Sequence, residues 1–366
     1  MPEPLSTLQI DSGSEMRGGQ RQVLFLSRGL AALGHRVLVA TPVGAPLAAA
    51  VRRDDRLQAV ELPMRGELSP RAARSLAAIM RRERIDLMHA HTPHAISLAH
   101  LSRRFGRRPP LVAHRRVAFP LKRNPFARWK RRWPDHWIAV SGSVRDRLER
   151  DGVDGAKMSV VTSCLDPGRR QPRRGRDEVR AELGLDPGAI ALGAVGHLAA
   201  HKGHRVLLDA LGRIEPSPCR WILYLVGDGE LRDELVARAR ALGLERRVRF
   251  LGWREDVPDL LGAFDLFLFP SISGEGSPAA LKEALVTGLP TLASDLAAHR
   301  ELGLEANELF ACGEPSDLAA KLAARIDDPD RARLRSTAGA RLAGRFTPET
   351  MVEQTLSIYR RLLEKR

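Results

Sequence analysis

Residues 265–294 read DLFLFPSISGEGSPAALKEALVTGLPTLAS. An apolar strand-like run, Asp265 to Pro270, leads into a glycine-bearing polar loop, Ser273 to Ser277. The loop opens a helix that runs to Thr287 and stops at Gly288, and a second strand-like run, Thr291 to Ser294, follows. Strand, loop, helix and strand make the repeating unit of a parallel α/β sheet. The loop therefore sits at the carboxyl end of a strand, where open α/β sheets bind ligands. The helix beginning there offers N–H groups to phosphate or to sugar hydroxyls. Glu275 stands beside Gly274, and Glu283 lies eight positions on, about two turns into the expected helix. The plainer reading makes these acids an exposed loop charge and a solvated helix charge. The flanking strands favour the functional one.

The alternation extends in both directions. Strand-like runs fall at Leu5–Ile10, Val37–Thr41, Asp86–His89, Leu111–His114, Trp137–Val140 and Val160–Thr162, with helical periodicity at Gln20–Leu33, Ala72–Arg82, Ala95–Leu101 and Val144–Arg150. It restarts at Ile190–Val195 and continues through Trp221–Val226, Val248–Leu251, Leu266–Phe269 and Thr291–Ala293. Two parallel-sheet domains are expected: residues 1–165 and 189–345. They are joined by an Arg/Pro/Gly-rich linker, 166–188, and followed by a terminal helix, 346–366.

Composition narrows the classes. No segment approaches the ~20 apolar residues of a membrane span. The first residues lack a basic-then-apolar signal, so a cytoplasmic location is expected. The three cysteines, Cys164, Cys219 and Cys312, form no C-x-x-C pair and read as small buried apolar residues rather than ligands. The single D-x-D, Asp328-Pro329-Asp330, reads as a turn and helix cap, so no metal site is expected. No Walker-type phosphate loop and no strand-linked G-x-G-x-x-G occur, which removes the usual support for NTPase, kinase and dinucleotide-oxidoreductase readings. The net charge of +15 is lopsided. Residues 1–168 carry 29 basic and 15 acidic side chains, and the remainder 30 and 29. Such a field suits a polyanionic partner.

Several short motifs stand in order. Gly18-Gly19-Gln20 precedes the first helix, and Gly34-His35-Arg36-Val37 closes it. Strands end in His89-Ala90-His91 and in His114. Ile138-Ala139-Val140-Ser141 precedes a helix with Ser141 as its cap. Val195-Gly196-His197 runs through Leu198 to Lys202-Gly203, followed by Val226-Gly227-Asp228-Gly229, Phe250-Leu251-Gly252 and the pair Glu275…Glu283. Together they resemble the retaining glycosyltransferases of family 4 over almost the whole chain. The resemblance implies a GT-B fold, two Rossmann-like parallel-sheet domains facing a central cleft, and transfer of a sugar from a nucleotide-sugar donor.

The resemblance also implies roles. Glu275 and the amides of Gly276 and Ser277 hold the donor sugar, and Glu283 holds the ribose. Lys202 and His197 offset the growing charge of the diphosphate, in place of a metal or other cofactor. Gly18 and Gly19 let the backbone approach the donor, and His114 faces the reacting sugar. His197 stands where the family has arginine, so its charge depends on pH, with Arg205 or Arg254 as candidate substitutes. Pro278 stands where the family has glycine and cannot donate an N–H. His89 reads as structural packing.

The stretch Arg103–Arg132 has twelve basic side chains and no acid, with Phe119, Phe126, Trp129 and Trp133 interleaved. Basic residues with aromatics suit an anionic membrane or glycolipid, so Arg115, Arg116, Lys122, Arg123, Trp129 and Lys130 are expected to meet acceptor or membrane. The expected partners are a UDP-, GDP- or ADP-linked sugar and a cell-envelope glycan or glycolipid, with a lipopolysaccharide core as one candidate, at the inner face of the cytoplasmic membrane. The alternatives are a nucleotide-sugar epimerase or hydrolase of the same fold, and a basic nucleic-acid-binding protein. The ordered α/β loops disfavour the last.

Overall fold

The computed structural model describes residues 3–64, 66, 69–121, 124–169, 171–215, 220–328, 342 and 344–364. It divides into two compact units: Met1–Cys164 with Phe346–Arg366, and Leu165–Arg345. Among the described residues the first unit holds seven strands: β1 (Ser6–Ile10), β2 (Arg36–Pro42), β3 (Leu57–Leu62), β4 (Leu87–Ala90), β5 (Leu111–Arg115), β6 (His136–Ala139) and β7 (Met158–Val160). They form one parallel sheet in the order β3-β2-β1-β4-β5-β6-β7. The second unit holds β8 (Ile190–Val195), β9 (Trp221–Val226), β10 (Val248–Gly252), β11 (Leu266–Phe269), β12 (Thr291–Ser294) and β13 (Leu309–Phe310), ordered β10-β9-β8-β11-β12-β13.

Strands covered on both faces read as near-continuous apolar runs. Thus Trp221-Ile222-Leu223-Tyr224-Leu225-Val226 is buried almost throughout, and Gln9, His89 and His114 are among the polar exceptions in the first unit. In each sheet the strand order reverses once, beside β1 and β4 and beside β8 and β11. The crevice outside the carboxyl ends of such strand pairs is the natural ligand position.

The helix Pro348–Glu364 packs on Gly18–Ala32 of the first unit. Met351, Val352, Thr355, Leu356 and Tyr359 form its buried stripe at helical spacing, each large apolar member contributing roughly 2 kcal/mol.

Some expectations give way. The stretch 166–188, expected as a linker, carries the helix Arg176–Glu182 and belongs to the second unit, tied in by Arg176 and Arg180 pairing with Asp265. That helix buries Val179 alone and so shows no apolar stripe in sequence. The strands β3 and β13 and the helices Pro46–Arg52 and Pro125–Lys130 are additional. Cys164 is buried, Cys312 is only partly so, and Cys219 lies outside the described residues. Asp328 follows the helix Pro315–Asp327, and the rest of the D-x-D lies outside the described residues. Among the described residues no helix is long and apolar enough to cross a membrane.

Candidate functional site

Two constellations lie at the carboxyl ends of the two switch-point strand pairs. In the second unit, β8 runs into the loop Gly196–Ala199, a short turn of helix, Ala200–Lys202, and then Gly203. Gly203 is left-handed (φ 69°), and a Cβ there would collide with the backbone carbonyl of Pro270. The loop after β8 is thereby pressed against the loop after β11, and Ile272 N–H donates to His201 O at 2.8 Å. That closeness brings Lys202 Nζ to Glu275 Oε1 at 2.7 Å, while Ser271 Oγ donates to the same oxygen at 2.6 Å. Lys202 also stands 5.5 Å from the ring centroid of Phe269.

The helix after β11 spans Ala279–Val286, with Pro278 as its N-cap and no side chain capping that end. The missing N–H of Pro278 therefore falls outside the helix, and the following amides keep their outward direction. Glu283 is buried and sits a little more than one turn into the helix, not two, because the helix starts after the proline. Lys282 is fully buried and its Nζ donates to Ser277 Oγ at 2.9 Å, which ties the loop to the helix. Gly276 lies in the same loop. Neither the buried Lys282 nor Ser271 stood out in sequence.

His197 is exposed and pairs with Glu230 at 3.1 Å. The residues considered as its substitutes are committed elsewhere: Arg205 to Glu234, and Arg254 to Asp256 and Glu182. Each guanidinium is held charged by those carboxylates. Lys202 is thus the cation that the structure places against Glu275. His204, behind it, is driven down to about 4 by burial first and by Lys202 next.

In the first unit a cavity of about 820 Å³ opens at the ends of β1, β4 and β5, lined among others by Asp11, Gly19, His91, His114, Arg116 and Lys130. Gly19 lies against the Arg116 stem, and Gly18 has open space around its Cα. Three imidazoles cluster here: His89 and His91 at 4.1 Å between ring centroids, His89 and His114 stacked at 5.4 Å. Burial, reinforced by neighbouring charges that include Arg116, holds all three well below the ordinary histidine range, so they are neutral at pH 7. Burial likewise lowers Arg116 to about 10, with the Asp11 charge opposing it.

The basic run divides. Trp133 turns into the core, whereas Phe126 and Trp129 on the helix Pro125–Lys130 are exposed, Trp129 at 57%. That helix is capped by Asn124, whose Oδ1 accepts from Ala127 N–H at 2.7 Å. Arg103 pairs with Asp135, Arg115 donates to Phe119 O at 2.6 Å, and Arg131 reaches the Asp151 carbonyl. Part of the charge is therefore structural. Lys122 and Arg123 lie outside the described residues.

Comparison with known proteins bears on the family and the fold. Residues 16–169 match the family model described as Glycosyltransferase Family 4, and residues 189–328 that of Glycosyl transferases group 1. A UDP-Gal:alpha-D-GlcNAc-diphosphoundecaprenol alpha-1,3-galactosyltransferase of Escherichia coli is 27% identical over 61% of this chain and 61% of its own length. The lipopolysaccharide core biosynthesis mannosyltransferase LpsB of Rhizobium meliloti (strain 1021) is 29% identical over 63% of this chain and 66% of its own. The match thus spans less than two thirds of either relative. Among solved structures, Anabaena Alr3699/HepE in complex with UDP and glucose superposes with a TM-score of 0.82 at 23% identity, over 97% of this chain and 99% of that one. The two Rossmann-like units are those of the GT-B fold.

Proposed function

We propose that this chain, which belongs to the glycosyltransferases of group 1 and family 4, moves a sugar from a nucleotide-activated donor to a cell-envelope glycan or glycolipid, with retained anomeric configuration. The observation that carries the reading is the Lys202–Glu275 pair at the ends of β8 and β11. A sugar nucleotide leaves as a diphosphate whose charge grows as the glycosidic bond breaks. A fixed cation beside it stabilises that charge most in the transition state. Lys202 supplies the cation, with no resident metal called upon, and His197 stands at the rim, paired with Glu230.

Glu275 is the partner exchanged. When the diphosphate takes Lys202, the carboxylate turns to the hydroxyls of the donor sugar, with the amides of Gly276 and Ser277. Glu283, one turn into the helix, accepts from the ribose hydroxyls. In the first unit, Gly18 and Gly19 let the protein backbone approach the donor, and His114, a neutral imidazole, faces the reacting sugar.

The names of the relatives, one using UDP-Gal and an undecaprenyl-linked sugar and one serving lipopolysaccharide core, support a nucleotide-linked donor and an envelope acceptor. Exposed Phe126 and Trp129 beside Lys130 support peripheral binding at an anionic membrane face. The test is a thermal-shift screen against UDP, GDP, ADP and CMP and their sugar conjugates. One nucleotide should raise the melting temperature by mass action. That shift should be lost in Lys202→Ala and in Glu283→Ala. A shift unaltered in both variants would overturn the site.

A further inference from the structure

The first-unit cavity holds a cation, Arg116, whose neighbouring carboxylate, Asp11 in the same lining, makes no ion pair with it. Arg116 Nη2 donates to His91 Nδ1 at 3.1 Å, while Nε and Nη1, screened from solvent, have no partner. Among the described residues no carboxylate ion-pairs with it. His114, 6% exposed, lines the same cavity with both ring nitrogens unpartnered. Buried polar groups in folded proteins are almost always satisfied, and an unpaired buried charge costs more than a single hydrogen bond returns. Groups left this way mark where a ligand completes the set.

Arg116 is also held in place. His91 Nε2–H donates to Gln9 Oε1 at 2.9 Å, which leaves Nδ1 to accept from the guanidinium. Gln9 Nε2 donates in turn to the Tyr359 hydroxyl at 3.4 Å, and that hydroxyl meets His89 Nδ1 at 2.7 Å. Side chains from β1, β4 and the terminal helix thus stand behind one guanidinium fork, a shape suited to two oxygens of one anion.

We infer that this cavity receives a phosphate or carboxylate group of the acceptor, held by the Arg116 fork and an N–H of His114. The inference rests on the proposed transfer to an anionic envelope acceptor and on the reading that Arg116 and its basic neighbours meet that acceptor. The cavity has room for a sugar attached to that group, and Ile96, Phe126 and Trp137 give it an apolar wall.

Nitrogen atoms of His89, His91 and His114 lie within 4.8 Å of one another, a spacing that also suits a metal ion. Both nitrogens of His91 are engaged, however, and the guanidinium against it repels a dication while it attracts an anion.

The same anion chemistry could belong to the diphosphate of the donor, so the test has two arms. Isothermal titration of the full chain with inorganic phosphate is done in a Lys202→Ala background, which removes the anion site of the second unit. Adding Arg116→Gln should weaken phosphate tenfold or more, and Arg116→Lys, which keeps the charge without the fork, should recover part. UDP, titrated into the otherwise wild-type chain, should bind equally with and without Arg116→Gln. Equal phosphate affinity with and without Arg116→Gln overturns the site. Loss of UDP together with phosphate assigns the anion to the donor and overturns the acceptor assignment. Stoichiometric Zn²⁺ binding abolished by His91→Gln gives the cluster to a metal and also overturns it. Should Arg116→Gln fail to fold, Arg116→Lys carries the comparison. Failure of the donor reading shows separately, as UDP binding indifferent to Lys202 and Glu283.

Discussion

The two units treat the charges at their strand ends in opposite ways. The second unit settles them internally: Lys202 on Glu275, Ser271 on Glu275, Lys282 on Ser277, His197 on Glu230. The first leaves the Arg116 fork incomplete beside the unpartnered His114 ring; the second has unpartnered imidazole nitrogens too, at His204 and His299, but among the described residues no such cation. A ligand entering the second site must therefore exchange one partner for another. It gains little from raw charge and much from geometry, which suits discrimination of one sugar nucleotide from another. A ligand entering the first site relieves an unpaired cation, which suits capture of any acceptor with an anion in the right place.

The backbone under the two sites differs as well, and here the largest effect is expected. Gly203 combines a left-handed φ of 69° with the Pro270 carbonyl on its Cβ side. The conformation alone costs an alanine about 1–2 kcal/mol, and the overpacking about 1–3 more. Gly19→Ala meets only ordinary contact with the Arg116 stem, its nearest atom 3.6 Å away. Urea unfolding should show a loss of several kcal/mol for Gly203→Ala and a change of under about 0.5 kcal/mol for Gly19→Ala. Equal losses would mean that the second site is no more tightly built than the first.

This asymmetry was only half legible in sequence. The alternation of elements was plain because parallel strands buried on both faces are written as unbroken apolar runs, as in β9 and β11. Lys202, Glu275 and Glu283 stood out because each is marked by its immediate neighbours: a glycine, a strand, a helix start. What stayed hidden is pairing at a distance. Lys202 meets Glu275 across 73 positions, and His89 meets Tyr359 across 270. Neither partner changes the local pattern. The edge strand β3 was missed although Leu57 and Leu62 are buried at its ends, because Gln58 and Glu61 dilute its apolar run. The helix Pro125–Lys130 did carry a signal, Asn124 followed by Pro125, that the surrounding charge run obscured.

A middle-sized effect should appear on acidification. His89, His91 and His114 are all lowered from 6.5 by burial, and by charges that include Arg116. Below pH 6.5 the unfolded chain takes up protons that the folded unit refuses. Stability is therefore fully present above that value and lost as pH falls, by up to about 1.4 kcal/mol per histidine per pH unit. In the second unit His204, lowered to about 4, contributes over the window from 6.5 to 4, and His201 and His299, lowered first by burial but not held as far down as the three clustered rings, add smaller amounts. Unfolding at pH 7.5 and 5.5 should show a larger loss for the first unit, where three such rings touch. A flat profile would mean that the cluster is protonated in the folded state. Arg116 would then have cationic neighbours, and the contrast with the second unit would sharpen.

The smallest effect is the most specific. Tyr359→Phe removes one hydroxyl from the terminal helix, leaving the ring packed and fully buried. His89 Nδ1 then loses its partner at 2.7 Å, and Gln9 Nε2 keeps only Thr7 Oγ1 at 3.3 Å. The cost to the first unit should be about 1–2 kcal/mol, the usual figure for a buried group left unmatched. The hydroxyl stands behind Gln9, His91 and Arg116 in turn, so its loss should also loosen the fork. Phosphate affinity in the Lys202→Ala background should fall two- to threefold, while UDP affinity of the otherwise wild-type chain stays unchanged. A stability loss without any change in phosphate affinity would reduce Tyr359 to a packing residue. It would also mean that Arg116 is held by His91 alone, leaving the first site more loosely set than the second.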